Sequence, residues 1–262
     1  MNGAGNDFVM LDNRSRALSL SREQIARLCD RHRGVGADGL LVVEPPATEE
    51  APLRMRYYNR DGGEAEMCGN GARCFARFAQ RLRACGERVA FETMAGLVRA
   101  EIEGERVRIA LSAPRDLSLG RKLRLSAGEA EVHSVNTGVP HAVLLVDEVE
   151  RVDVAALGRE IRRHAAFAPA GTNANFVQRL EENAIRIRTY ERGVEAETLA
   201  CGTGVAASAL IAHARWGLPS PVRVRAQGGD TLEVRFRKEG DCFAEVSLMG
   251  PADFVFDGVI EV

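Results

Sequence analysis

GGEAEMCGNGA (residues 62–72) and GVEAETLACGTGV (residues 193–205) share one form: an acidic approach, then Cys-Gly-x-Gly, then small residues at helical spacing. Their cysteines, Cys68 and Cys201, lie 133 residues apart in a chain of 262, close to half its length. Other blocks recur at nearly the same offset and in the same order. LRMRYYN (53–59) pairs with IRIRTYE (185–191) at 132, DGLLVV (38–43) with TNANFV (172–177) at 134, and DFVML (7–11) with HAVLL (141–145) at 134. A constant offset reads as an internal duplication. The repeat is far longer than the roughly 20–50 residues of a solenoid unit, so two similar domains are expected rather than an array.

Within each half the pattern is mostly strand. LRMRYY and IRIRTY alternate apolar and charged residues, as half-buried strands do. Residues 98–111 and 222–236 read as hairpins, turning near Gly104 and at Gly228-Gly229-Asp230. Residues 244–262 add strands at the end. Helices are expected at 21–32 behind a Ser cap, at 71–86 and 204–217 with glycine stops, and at 152–164. Several strands around one central helix in each half is an α+β design. Pro114 interrupts the pattern, giving domains at 1–113, joined by the C-terminal strands 250–262, and at 114–249.

Composition narrows the function. Hydrophobic residues make up 45% and charged residues 27%, an ordinary globular balance. A net charge of −2 lacks the basic field of a nucleic-acid binder. No apolar run approaches the ~18–20 residues of a membrane span, and MNGAGNDFVMLDNR has no signal-peptide layout. A cytoplasmic protein is the expectation, with neither nucleic acid nor membrane as partner. Six cysteines without an export signal argue against a disulfide scaffold; none forms C-x-x-C and the five histidines are scattered, so no metal site is expected. Only Lys122 and Lys238 could form a pyridoxal Schiff base, and both lie in charged runs. No cofactor is expected.

Cys-Gly-x-Gly before a helix has a chemical meaning. The glycines admit a ligand close to the backbone, and unbonded N–H groups at the helix start make an anion site. The positive helix end also favours thiolate over thiol. A thiolate removing a proton from one face of a carbon, and a thiol returning one on the other, would invert that carbon reversibly. The helix mouths would hold an α-carboxylate and spread the developing charge. Cys29, Cys74, Cys85 and Cys242 sit in apolar or helical patterns and read as small buried hydrophobes. Cysteine-protease chemistry, with His141 orienting one cysteine, would leave the other without a task.

GAGNDF (3–8), NRDGGEAEMCGNGARC (59–74), NTGVPHAV (136–143), GTNANF (171–176) and YERGVEAETLACGTG (190–204) together resemble the diaminopimelate epimerase family over nearly the whole chain. The resemblance implies two pseudo-symmetric domains, each a β-barrel-like sheet around a central helix, with the active site in the interdomain cleft. It implies a homodimer. It also implies that Cys68 and Cys201 are the catalytic pair, and that Gly69, Asn70, Gly202 and Thr203 hold the reacting α-carboxylate. Asn6, Asn59, Asn173, Glu191 and Arg192 would grip the distal amino-acid end, with His141 beside the site. The chemistry agrees: Arg192 can clamp a carboxylate and Glu191 can accept from an ammonium. Plainer readings stand beside these. Glu191 and Arg192 fit a solvated turn pair, Asn6 and Asn173 fit turns, Asn59 a strand end, and His141 a structural histidine.

Three positions depart from the family pattern. Met1 stands where a short strand usually precedes GAGNDF, Val139 where many members have Asn, and Gly39 where some have Gln. The alternative within the same chemistry is another cofactor-independent racemase, of the proline, hydroxyproline or histidine type. Its first motif is usually Cys-Gly-His-Gly, against Asn70 here. An isomerase of the phenazine-biosynthesis type would not need both cysteines, and a non-catalytic binding protein could keep the same fold.

Overall fold

The computed structural model describes residues 1–261; Val262, the last residue of the expected C-terminal strands, lies outside the described residues. The chain divides into two compact units, Met1–Ile109 with Gly250–Val262, and Ala110–Met249.

Unit 1 runs β1 (Phe8–Asp12), α1 (Arg22–Cys29), β2 (Gly39–Glu44), β3 (Leu53–Asn59), β4 (Glu64–Ala65), α2 (Gly69–Arg81), β5 (Arg88–Thr93), β6 (Gly96–Glu103) and β7 (Arg106–Ala110). Its strands lie in the order β1-β2-β3-β5-β6-β7, with β4 beside β3. β1 is parallel to β2 and β3 to β5; the remaining pairs are antiparallel. Unit 2 opens with β8 (Arg115–Leu125) and β9 (Gly128–Asn136). It continues with β10 (Pro140–Leu145), α3 (Val154–Arg162), β11 (Asn173–Arg179), β12 (Ala184–Glu191), β13 (Ala196–Thr198), α4 (Gly202–Trp216), β14 (Val222–Arg225), β15 (Thr231–Glu239) and β16 (Cys242–Pro251). From β10 onward the order is β10-β11-β12-β14-β15-β16, with β13 beside β12. Again the first pair and β12–β14 are parallel and the others antiparallel. This mixed sheet with few helices is an α+β fold.

Helix boundaries follow from their caps. Ser21 and Gln24 close a reciprocal capping box at the start of α1, and Asp153 accepts from the Ala156 N–H to start α3. α4 stops at Gly217, which takes the left-handed conformation. α2 ends at Arg81 and not at Gly86. Arg83, at φ 54°, takes the left-handed position instead. Its N–H bonds the Gln80 carbonyl, and the Ala84 N–H bonds the Ala79 carbonyl. That is a Schellman stop without glycine, a geometry the residue pattern does not announce.

The two central helices differ in packing. α4 buries every residue from Gly204 to Ala212, and the stretch is accordingly apolar apart from Ser208. α2 keeps Arg73 fully buried within its first turns. Its guanidinium donates to the carbonyls of Gly3 and Pro251 and to the Asn70 amide oxygen.

Two further expectations are corrected. Among the described residues, 244–261 supply one strand, β16; beyond it Asp253 bridges to Asn2. Cys242 is exposed and Cys85 half-buried; Cys242 follows the Gly240-Asp241 turn on the open face of β16, while its neighbour Phe243 takes the buried face. Cys29 and Cys74 are buried small side chains, and burial pushes their thiols up to about 11 and about 12. No helix among the described residues is long and apolar enough to cross a membrane.

Candidate active site

Both cysteines are helix N-caps. Cys68 precedes α2 at φ −132°, ψ 121°, and Cys201 precedes α4 at φ −121°, ψ 107°. Extended backbone there turns the chain from a short strand into the helix. The cysteine carbonyls accept the first helical bonds, from Ala72 and Val205 at 2.7 and 2.8 Å. Helix geometry then leaves the N–H groups of Gly69, Asn70 and Gly71, and of Gly202, Thr203 and Gly204, without intrahelical acceptors. Each thiol thus sits beside a row of amide donors at a positive helix end. Cys68 is half-buried and Cys201 is 8% exposed.

The third position of each turn must be small. A Cβ on Gly204 would stand 2.5 Å from Asn175 Oδ1 and 3.4 Å from Cys201 Sγ. A Cβ on Gly71 would meet Leu41 Cδ1 at 3.2 Å, a looser contact with a movable methyl.

In unit 1, Asn70 donates to Asn6 Oδ1 at 2.7 Å, and Asn6 donates to Asp38 Oδ2 at 2.8 Å. The line continues to Asp7, which accepts the Asp38 N–H and a fork from Arg31. Desolvation disfavours the charged Asp7 carboxyl, but the Arg31 bonds and the backbone N–H outweigh it and hold the group below its usual range. Asn6 and Asn70 are therefore brought together and oriented. Asn59 is exposed at the end of β3, paired in register with Gly39. The glycine at 39 has a local reason: a Cβ there would stand 2.5 Å from the Tyr58 carbonyl and 2.7 Å from the Tyr57 ring.

In unit 2 the predicted residues gather around α4. His141 Nε2 lies 2.9 Å from Thr203 Oγ1, which lies 3.6 Å from Cys201 Sγ. His141 and Asn173 are direct partners on β10 and β11. Asn173 Oδ1 accepts the Arg192 N–H at 2.7 Å, and the Arg192 guanidinium donates to the Ala170 carbonyl. Thr198 donates to Glu191 Oε2 at 3.0 Å; burial pushes the Glu191 carboxyl up, and the Thr198 bond opposes it. Burial, aided by the Arg192 charge, lowers His141 to about 3, so it is a neutral imidazole.

Sequence reasoning missed four supports: Asp38, Thr137, Asn175 and Thr189. Thr137 donates to the Thr203 carbonyl at 2.8 Å, pinning the first turn of α4. Asn175 and Thr189 are cross-strand partners and bond each other at 3.0 Å. The available signal was TNANF itself, where period two puts Asn173 and Asn175 on one face of a strand otherwise apolar.

The fold defines a class of proteins first. A phenazine biosynthesis protein of the PhzF family from Bacillus anthracis superposes with a TM-score of 0.70 at 17% identity, covering 96% of this chain and 92% of that one. At the level of sequence the match is closer. The diaminopimelate epimerase of Aquifex aeolicus is 43% identical over 98% of this chain and 95% of its own length. That of Chlorobaculum tepidum is 42% identical over 99% of both. The diaminopimelate epimerase family model matches residues 1–113 and 133–255, leaving out β8 and the first residues of β9. The chain belongs to the diaminopimelate epimerase family, and is an isomerase.

Proposed function

We propose that this chain interconverts LL- and meso-2,6-diaminopimelate by cofactor-independent proton transfer between Cys68 and Cys201. The observation that carries this is the pair of cysteine N-caps, each opening a buried helix in units of matching strand order. One thiolate takes the α-proton and the other thiol supplies a proton to the opposite face. The amide donors of Gly69 and Asn70, and of Gly202 and Thr203, bind the α-carboxylate and stabilise charge as the proton leaves. Asn6, Asn59, Asn173, Glu191 and Arg192 hold the distal ammonium and carboxylate, with His141 behind Thr203.

The same reading takes the two units as products of one duplication, each a curved sheet around its helix, with domains at 1–113 plus 250–262 and at 114–249. It takes the enzyme as a homodimer, as the family resemblance implies, and as cytoplasmic, since catalysis by thiols favours a reducing compartment.

Proton NMR in D₂O with reduced protein tests the substrate. LL-diaminopimelate, L-proline and L-histidine are offered separately, and loss of each α-proton signal is followed. The expected result is exchange with diaminopimelate alone. Exchange with proline or histidine instead would replace the substrate, and exchange with none would remove the activity.

A further inference from the structure

Asn175 lies fully buried on β11, behind the first turn of α4. Its amide is pinned at both ends. Nδ2 donates to the Ala142 carbonyl at 2.9 Å, an atom that can only accept. Oδ1 accepts the Thr189 hydroxyl at 3.0 Å. The amide therefore cannot be turned over, and its second Nδ2 hydrogen faces His141 Nδ1 at 3.1 Å. Nδ1 is then an acceptor, which in a neutral imidazole puts the proton on Nε2. Nε2–H donates to Thr203 Oγ1 at 2.9 Å. With that lone pair used, the Thr203 hydroxyl hydrogen is available for Cys201 Sγ at 3.6 Å.

We propose that Asn175 is a positioning residue for the reaction: it sets the direction of the relay Asn175–His141–Thr203–Cys201, so that a hydrogen-bond donor is always presented to the Cys201 sulfur. A donor favours the thiolate over the thiol. His141 serves as a fixed donor and not as a base. Unit 1 is built differently, with the Asn70 amide committed to Asn6 and Arg73. The relay thus gives Cys201 a support of its own. The proposal rests on Cys201 carrying a proton in catalysis, but its test needs no substrate.

The probe is iodoacetamide, and the readout is the pH profile of alkylation at Cys201, resolved by peptide mass spectrometry. Exposed Cys242 in the same sample is the internal reference. Asn175→Asp keeps the side-chain size but gives up the bond to the Ala142 carbonyl and reverses the polarity towards His141: a carboxylate demands Nδ1–H, Nε2 becomes the acceptor, and the Thr203 hydroxyl turns away from sulfur. The Cys201 midpoint should rise by about one pH unit, roughly a tenfold loss of thiolate at neutral pH, while Cys242 does not move. A direct effect of the new charge is separated by the same change in a Thr203→Val background, where the relay has no last link. There Asn175→Asp should shift Cys201 little. Equal shifts in both backgrounds, or none in either, overturn the proposal. Nitrogen NMR of histidine-labelled wild-type protein tests the same relay without a variant: it requires the Nε2–H tautomer of His141, and Nδ1–H refutes it.

Discussion

Glu191, proposed to hold the distal ammonium, is placed where its charged form costs the fold stability. It is held by Thr198, and burial pushes its carboxyl above the ordinary range. A carboxyl raised in the folded state stabilises that state only while protonated. The contribution is present below the unfolded value and is lost as pH rises through the folded one. Glu191→Gln should therefore match the wild type in urea at pH 4 and exceed it at pH 8, with the gap growing between. The same variant should raise KM for diaminopimelate about tenfold, because a charge-assisted bond to an ammonium is worth about 1.5–3 kcal/mol. A less stable Glu191→Gln at pH 8 would mean that the charged form is well satisfied without substrate. Residues of this kind were partly legible. Glu191 and Arg192 stand in a quotable motif and Asn175 in the period-two pattern of TNANF, whereas Thr189 acts through a cross-strand contact and Asp38 through bonds to Asn6 and Asp7 that no local spacing encodes.

At the scale of elements, the first turns of α2 and α4 look alike in sequence and differ in what stands behind them. Helix propensity alone favours alanine over glycine by about 1 kcal/mol in each. Space reverses that at one of them. Gly71→Ala meets the Leu41 methyls and, at ordinary contact distance, Cys68 Cβ, whereas Gly204→Ala drives a Cβ into Asn175 Oδ1. Gly71→Ala should leave the urea midpoint near that of the wild type. Gly204→Ala should lose about 1–3 kcal/mol, the usual cost of overpacking a closed site. Similar losses in both would place the strain in the glycine backbone itself. Strands with one buried face, such as β3 and β12, are plain in their alternation, and α1, α3 and α4 in their caps. The end of α2 is not, since Arg83 does there what glycine does at the end of α4. β8 is not either, since only Leu123 and Leu125 at its end are buried and the rest of the strand is mostly exposed.

At the scale of the whole molecule, the repeated Cys-Gly-x-Gly and the offset of 132–134 residues make the two-part organisation readable from the chain. The N-cap placement of both thiols is a matter of helix starts, which the motif also announces. What the motif leaves open is whether two thiols act on one carbon. The isotope fate of a single turnover answers that. A thiol carries one proton, so in D₂O the thiolate that abstracts holds protium, while the opposing thiol delivers deuterium. Early in the reaction, mass and NMR analysis of LL-diaminopimelate in D₂O should find deuterium at the inverted carbon of the meso product and protium in the remaining substrate. Protium retained in the product, or deuterium entering the substrate as fast as product forms, would contradict two-thiol catalysis by Cys68 and Cys201.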